Sequence, residues 1–273
     1  MKNLASCLLI LILSVLLSGK VFADKNCIED VICIETVRND SIVDFYVKNL
    51  KAFDVTITLI IDTVNLKSPE PQPYTDTIRG YGKVKIFSLP IINNKIKWNY
   101  KYNVDWTTGS IYAKHDNSYS YRLPYKIGSS QKISQGLRDN TGQNDNSQYT
   151  VDIEMPVNTA VYTARDGIVV GVRDYNEIEG SAKDIEDTLI RVLIKHPDGT
   201  IGDYKYLRRD GAKAKAGDRV DRGQFIGYSG GPHLRFSVYK SYNGKRIITF
   251  PVKFQSSNGI ISCPVKGQSF IAQ

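Results

Sequence analysis

Histidine is scarce in this chain: 3 residues of 273, namely His115, His196 and His233. That leaves little imidazole for a metal centre or for acid–base catalysis. Cysteine is nearly as rare, with 4 residues and no Cys-x-x-Cys pair, so neither redox work nor a thiolate metal site is expected. No Lys/Arg cluster interleaves with aromatics, which argues against a nucleic-acid partner. Past the first residues, no run is apolar enough to cross a membrane.

What is present begins with Met1-Lys2-Asn3, an apolar run from Leu8 to Leu17, and Val21-Phe22-Ala23 ahead of Asp24. This pattern predicts a secretory signal peptide over residues 1–23 and an exported protein, periplasmic or secreted. Cys27 and Cys33 would then be able to close a small disulfide loop, or Cys263 to tie back to either of them. The formal charge of +8 suits an anionic envelope or wall polymer. Oligomeric state is not legible.

Period-two runs dominate residues 24–121. Val55, Ile57 and Leu59 share a face, and Val84–Leu89 and Ile96–Tyr102 alternate likewise, predicting a small Ig-like β-sandwich. Trp98, Tyr100 and Tyr102 read as core with one decorated face, in preference to a sugar platform. His115, in a polar turn, is expected to be exposed. A polar stretch makes residues 122–149 a linker and site-flanking loop, 150–254 a second domain, and 255–273 a C-terminal tail. Short strands with Asp-Gly turns at Asp166-Gly167 and Asp198-Gly199 fill the second domain, with residues 176–187 as an exposed acidic loop. Asp152, Tyr204, Tyr206, His233 and Arg235 are expected to be neighbours on one patch of sheet, and His196 to be structural or on the surface.

From about Leu123 to Lys253 the chain resembles the lysostaphin-type (LytM-like) zinc peptidases that cut peptidoglycan cross-links. The residues that carry this are Val151-Asp152-Ile153-Glu154-Met155-Pro156, Thr159–Gly167, His196–Thr200, Tyr204-x-Tyr206-Leu207, Gly217–Gly227 and Gly231-Pro232-His233-Leu234-x-Phe236. The resemblance implies an all-β chain whose second domain is an antiparallel, duplicated-hybrid-motif-like unit. It also implies a zinc site with Asp152 as a ligand and His233 as the catalytic imidazole. Yet Arg235 stands where the family has its ligand histidine and Tyr206 where it has an auxiliary one. The upstream ligand histidine falls near Gly142 or Gln148.

A guanidinium stays protonated and cannot replace imidazole as a ligand. His233 and Arg235, two apart on a strand, share a face. Arg235 is therefore expected to pair with Asp152 in the vacated metal position, leaving no cofactor. The leading expectation is an exported, inactive peptidase-like protein that binds peptidoglycan or regulates a cell-wall hydrolase. A second is an active zinc endopeptidase with a rearranged site, recruiting His233 and one of Asp139, Asp145 or His196. A third is a structural or host-facing secreted binding protein.

Overall fold

The computed structural model describes residues 23–39, 41–137, 148–174 and 189–273. The leader expected over 1–23 lies outside them except for its last residue. So do Asp139, Gly142, Asp145 and the acidic 176–187 loop. Among the described residues there is no helix.

The first module has seven strands: β1 (Ala23–Ile28), β2 (Ile32–Asn39), β3 (Ile42–Asn49), β4 (Val55–Val64), β5 (Tyr74–Ile78), β6 (Lys83–Pro90) and β7 (Asn99–Thr108). They form two sheets, in the orders β1-β2-β3-β6 and β5-β4-β7. Alternation puts Val43, Phe45 and Val47 of one sheet against Val55, Ile57, Leu59 and Ile61 of the other. Each such side chain contributes about 1.5–3 kcal/mol by burial. Trp98, Tyr100 and Tyr102 pack against that core. Tyr100 Oη and Thr36 Oγ1 lie 3.0 Å apart, and Asn26 Nδ2 donates to Tyr102 Oη at 2.9 Å, so these rings tie one sheet to the other. Cys27 and Cys33 face each other across β1 and β2 and are disulfide-bonded; Cys263 is free and exposed.

The second module contains β8 (Ser120–Arg122), β9 (Ser130–Gln135), β10 (Thr150–Glu154), β11 (Ala160–Tyr162), β12 (Gly167–Asp174), β13 (Leu189–Lys195) and β14 (Ile201–Arg208). It continues through β15 (Arg219–Val220), β16 (Phe225–Tyr228), β17 (His233–Ser241), β18 (Ile247–Thr249), β19 (Lys253–Ser256), β20 (Gly259–Ile261) and β21 (Ser269–Ile271). Nine of these strands make one sheet, ordered β15-β12-β13-β14-β17-β10-β9-β21, with β18 also on β17. One face of that sheet carries the core: Val151, Ile153, Val192, Ile194, Tyr204, Leu207, Leu234, Phe236 and Val238. The small sheets β11-β16 and β20-β19-β8 supply Val161, Ile226, Tyr121 and Phe254 to the same cluster.

Strand pairing crosses three of the expected boundaries. The 122–149 linker contains β9, which pairs with β10. The 255–273 tail contains β20 and β21, and β21 pairs with β9, so it belongs to the sheet system. Tyr121, the last residue of the span expected for the first domain, is buried in the second core, because β8 pairs in parallel with β19. Strand partners this distant in sequence leave no local signature.

The sandwich is seated on the far face of the large sheet. Phe53 packs on Val170, Leu193, Ile201 and Tyr239, and Lys195 Nζ meets Asp54 Oδ2 at 2.6 Å. At Gly244 a Cβ would lie 2.3 Å from the Asp105 carbonyl oxygen, so the backbones of the two modules touch there and require glycine.

Candidate functional site

Strict alternation along β10 and β17 decides which side chains reach the far face. Val151, Ile153, Leu234 and Phe236 point into the core, so Asp152, Glu154, His233 and Arg235 point away from it. Asp152 and Arg235 are direct register partners. Arg235 Nε donates to Asp152 Oδ1 at 2.8 Å and Nη2 donates to Oδ2 at 2.9 Å, a two-pronged, charge-assisted contact. Asp152 is 5% exposed, so its carboxylate depends on that contact for charge compensation.

Tyr206 reaches the same place by a backbone irregularity. Ile190 pairs with Leu207 and Arg191 with Lys205, which leaves Tyr206 as the extra residue of a bulge, at φ +70°. Leu207 thereby returns to the core, while the Tyr206 ring lies 5.0 Å, edge to face, from His233. Arg235 Cζ sits 5.5 Å from the same ring. A left-handed backbone at a non-glycine residue stores about 1–2 kcal/mol of strain. A second bulge, where Ser134 is the extra residue of β9, lies against Asp152 and lets Ser134 Oγ donate to the Asp152 carbonyl oxygen at 3.2 Å. Beside His233 is a shallow hollow lined by Gln131, Ser134, Glu154, Met155, Pro156 and Pro232.

The structure therefore brings Asp152, Tyr206, His233 and Arg235 together and leaves the other expected residues elsewhere. Tyr204 is a correction: it lies fully buried on the core face, where its hydroxyl accepts the Ala164 N–H at 2.7 Å. Gln148 is exposed in a turn before β10. His115 is half-buried instead of exposed, stacked 4.6 Å from Phe250 with its Nε2 3.3 Å from Tyr121 Oη.

His196 is buried on the core side, away from Asp152, and so is not placed to join a rebuilt site. Its Nδ1 is 3.1 Å from Thr200 Oγ1, which itself donates to Asp198 Oδ1, so the neutral Nδ1–H form fits. Among the described residues Nε2 has no hydrogen-bond partner, and the Gly202 backbone closes over it. Burial, reinforced by the Arg165 charge, pushes His196 down from 6.5 to about 3. Its unfolded form therefore takes a proton that its folded form refuses. Stability is full above pH 6.5 and is lost as the pH falls towards 3. Between pH 7 and 5 the expected loss is about 2 kcal/mol. Urea unfolding at a series of pH values checks this, with His196→Asn expected to flatten the slope; an unchanged slope would refute it.

Sequence reasoning missed a second charged pair on the far face. Arg191 Nε donates to Asp203 Oδ1 at 3.1 Å and Nη2 donates to Oδ2, with side chains 8% and 2% exposed. In register, Asp152, Arg235, Lys205 and Arg191 form one row across four strands. The alternation of β14 around Tyr204 could have placed Asp203 and Lys205 on this face.

A zinc ion does not fit these groups. Both Asp152 oxygens are taken by a cation, and His233 Nε2 stands 4.0 Å from Asp152 Oδ2. Among the described residues, no three His, Cys, Asp or Glu side chains converge as a metal-binding group.

Comparison with known proteins adds the following. Residues 146–248 match the family model for Peptidase family M23. Over 93 residues the chain is 36% identical to Peptidoglycan DD-endopeptidase ShyA of Vibrio cholerae, spanning 32% of this chain and 19% of that relative. The chain thus covers about a fifth of the length of this curated relative. The catalytic domain of lysostaphin from Staphylococcus simulans aligns with a TM-score of 0.30 and 25% identity, over 46% of this chain and 88% of that one. Csd3 of Helicobacter pylori aligns with a TM-score of 0.33 and 17% identity, over 83% and 68% respectively.

Proposed function

We propose that this protein, whose residues 146–248 match the family model for Peptidase family M23, is an exported, catalytically inactive peptidase-like protein that binds peptidoglycan or regulates a cell-wall hydrolase. The observation that carries the reading is the Asp152–Arg235 pair. A permanent cation holds both oxygens of the carboxylate that the family resemblance makes a zinc ligand. With Tyr206 at the auxiliary position, the face keeps one histidine, His233, and a phenol in place of a second imidazole. The Cys27–Cys33 disulfide supports an oxidising compartment outside the cytoplasm. The relative ShyA acts, by its name, on peptidoglycan, which supports a wall ligand here.

The far face keeps hydrogen-bonding groups and a hollow beside His233, so binding without cleavage is chemically reasonable. The test compares wall hydrolysis with added zinc, and sedimentation with insoluble peptidoglycan, for the wild type, His233→Ala and Asp152→Ala. The expected result is no metal-dependent cleavage by any of the three, with co-sedimentation of the wild type. Zinc-dependent cleavage that both substitutions abolish would establish the active alternative.

A further inference from the structure

We infer that Arg122 and Arg222 form a binding site for a phosphate-type oxyanion, in the layer of small sheets that covers the core and away from the Asp152 face. Arg122 lies in β8, where its backbone N–H donates to the Ala164 carbonyl oxygen at 2.9 Å and fixes its position. It is 5% exposed. The guanidinium is sandwiched, with Cζ 5.3 Å from the Tyr162 ring centroid on one side and the Gly223 turn on the other. A Cβ added at Gly223 would stand 3.4 Å from Arg122 Nε. Among the described residues the side chain makes a single hydrogen bond, from Nη1 to the Leu123 carbonyl oxygen at 3.3 Å.

Among the described residues, no carboxylate meets this buried cation. Its charged neighbour is Arg222, exposed and adjacent to Gly223. Arg222 Nη2 donates to Gln255 Oε1 at 2.8 Å, and Gln255 is the register partner of Arg122 in the parallel β8–β19 pair. Arg222 is thus tethered beside the strand that carries Arg122, and among the described residues no carboxylate forms an ion pair with either guanidinium. Burial first, and then the nearby Arg222 charge, lower the Arg122 pKa. Arg165 in the same layer is the contrast, because it meets Asp198 at 2.6 Å. A buried ion without a partner is strongly destabilising. An oxyanion bridging two planar forks would supply the missing charge with the geometry that arginine favours. Stacking on Tyr162 explains why Arg122 can be buried, but not why a second cation is placed against it.

The test uses the full chain at constant ionic strength. Inorganic phosphate binding is read by calorimetry, and vesicle binding by co-sedimentation with phosphatidylglycerol or phosphatidylcholine. Arg222→Gln alters an exposed side chain and leaves the core intact; Lys266→Gln, also exposed, controls for net charge. The expected result is saturable phosphate binding, weakened about tenfold by Arg222→Gln and unchanged by Lys266→Gln. Phosphatidylglycerol binding that also depends on Arg222 identifies a lipid headgroup, whereas phosphate binding alone identifies a soluble or polymer-borne phosphate. Either outcome supports the site. Absence of any Arg222-dependent binding, or equal loss in Lys266→Gln, overturns it.

Discussion

Arg235→Met is expected to lower the unfolding free energy by about 3 kcal/mol, the low end of the range for breaking a buried ion pair. The reason is what the substitution leaves behind. The Asp152 side chain is 7% exposed, and removing the guanidinium strands its charge between two central strands. Arg235 itself is 29% exposed, so water compensates part of the loss and keeps the figure from going higher. Asp152→Asn should also destabilise the protein, and the double variant Asp152→Asn/Arg235→Met should lose less than the sum. The expected coupling is about 2 kcal/mol, read from urea unfolding of all four proteins. Additive single effects would mean that the pair is a surface contact without energetic content.

Arg191→Met should do more damage, about 4 kcal/mol by the same measurement. The Asp203 carboxylate it leaves behind is 2% exposed, so solvent cannot take the place of the lost guanidinium. The ordering by burial is the informative part. Lys132 and Glu154 meet at 3.2 Å near the same face, but their side chains are 52% and 47% exposed. Breaking that pair should cost below about 1 kcal/mol. A series in which all three pairs cost the same would show that burial is not what sets their strength.

Much of this site was legible before the fold was known. The spacing of His233 and Arg235 puts both on one face because a strand alternates strictly, and Asp152 sits in an alternating run whose core-facing members, Val151 and Ile153, are unmistakable. A family resemblance was needed to set those two strands side by side, because 83 residues separate Asp152 from Arg235. Tyr206 shows where alternation fails. Counting by twos groups it with Tyr204, but the bulge at φ +70° turns it to the opposite face, and nothing in Tyr204-Lys205-Tyr206-Leu207 announces that turn. Strand β9 escaped because it is short and polar, and the C-terminal β21 because its three residues Ser269-Phe270-Ile271 are too few to show a period; they become strands only by pairing with each other and with β10. The Arg191–Asp203 pair escaped for a related reason: charges within hydrophobic strands look solvent-facing until the neighbouring module covers the sheet.

Arg235 is proposed to take the place a metal ion would need beside Asp152. The replacement is tested most directly by the zinc content of the purified full chain, after equilibration with excess zinc and desalting, in parallel with Asp152→Ala. The expected content is far below one ion per chain and equal in the two proteins. One tightly held zinc per wild-type chain, absent from Asp152→Ala, would contradict the account.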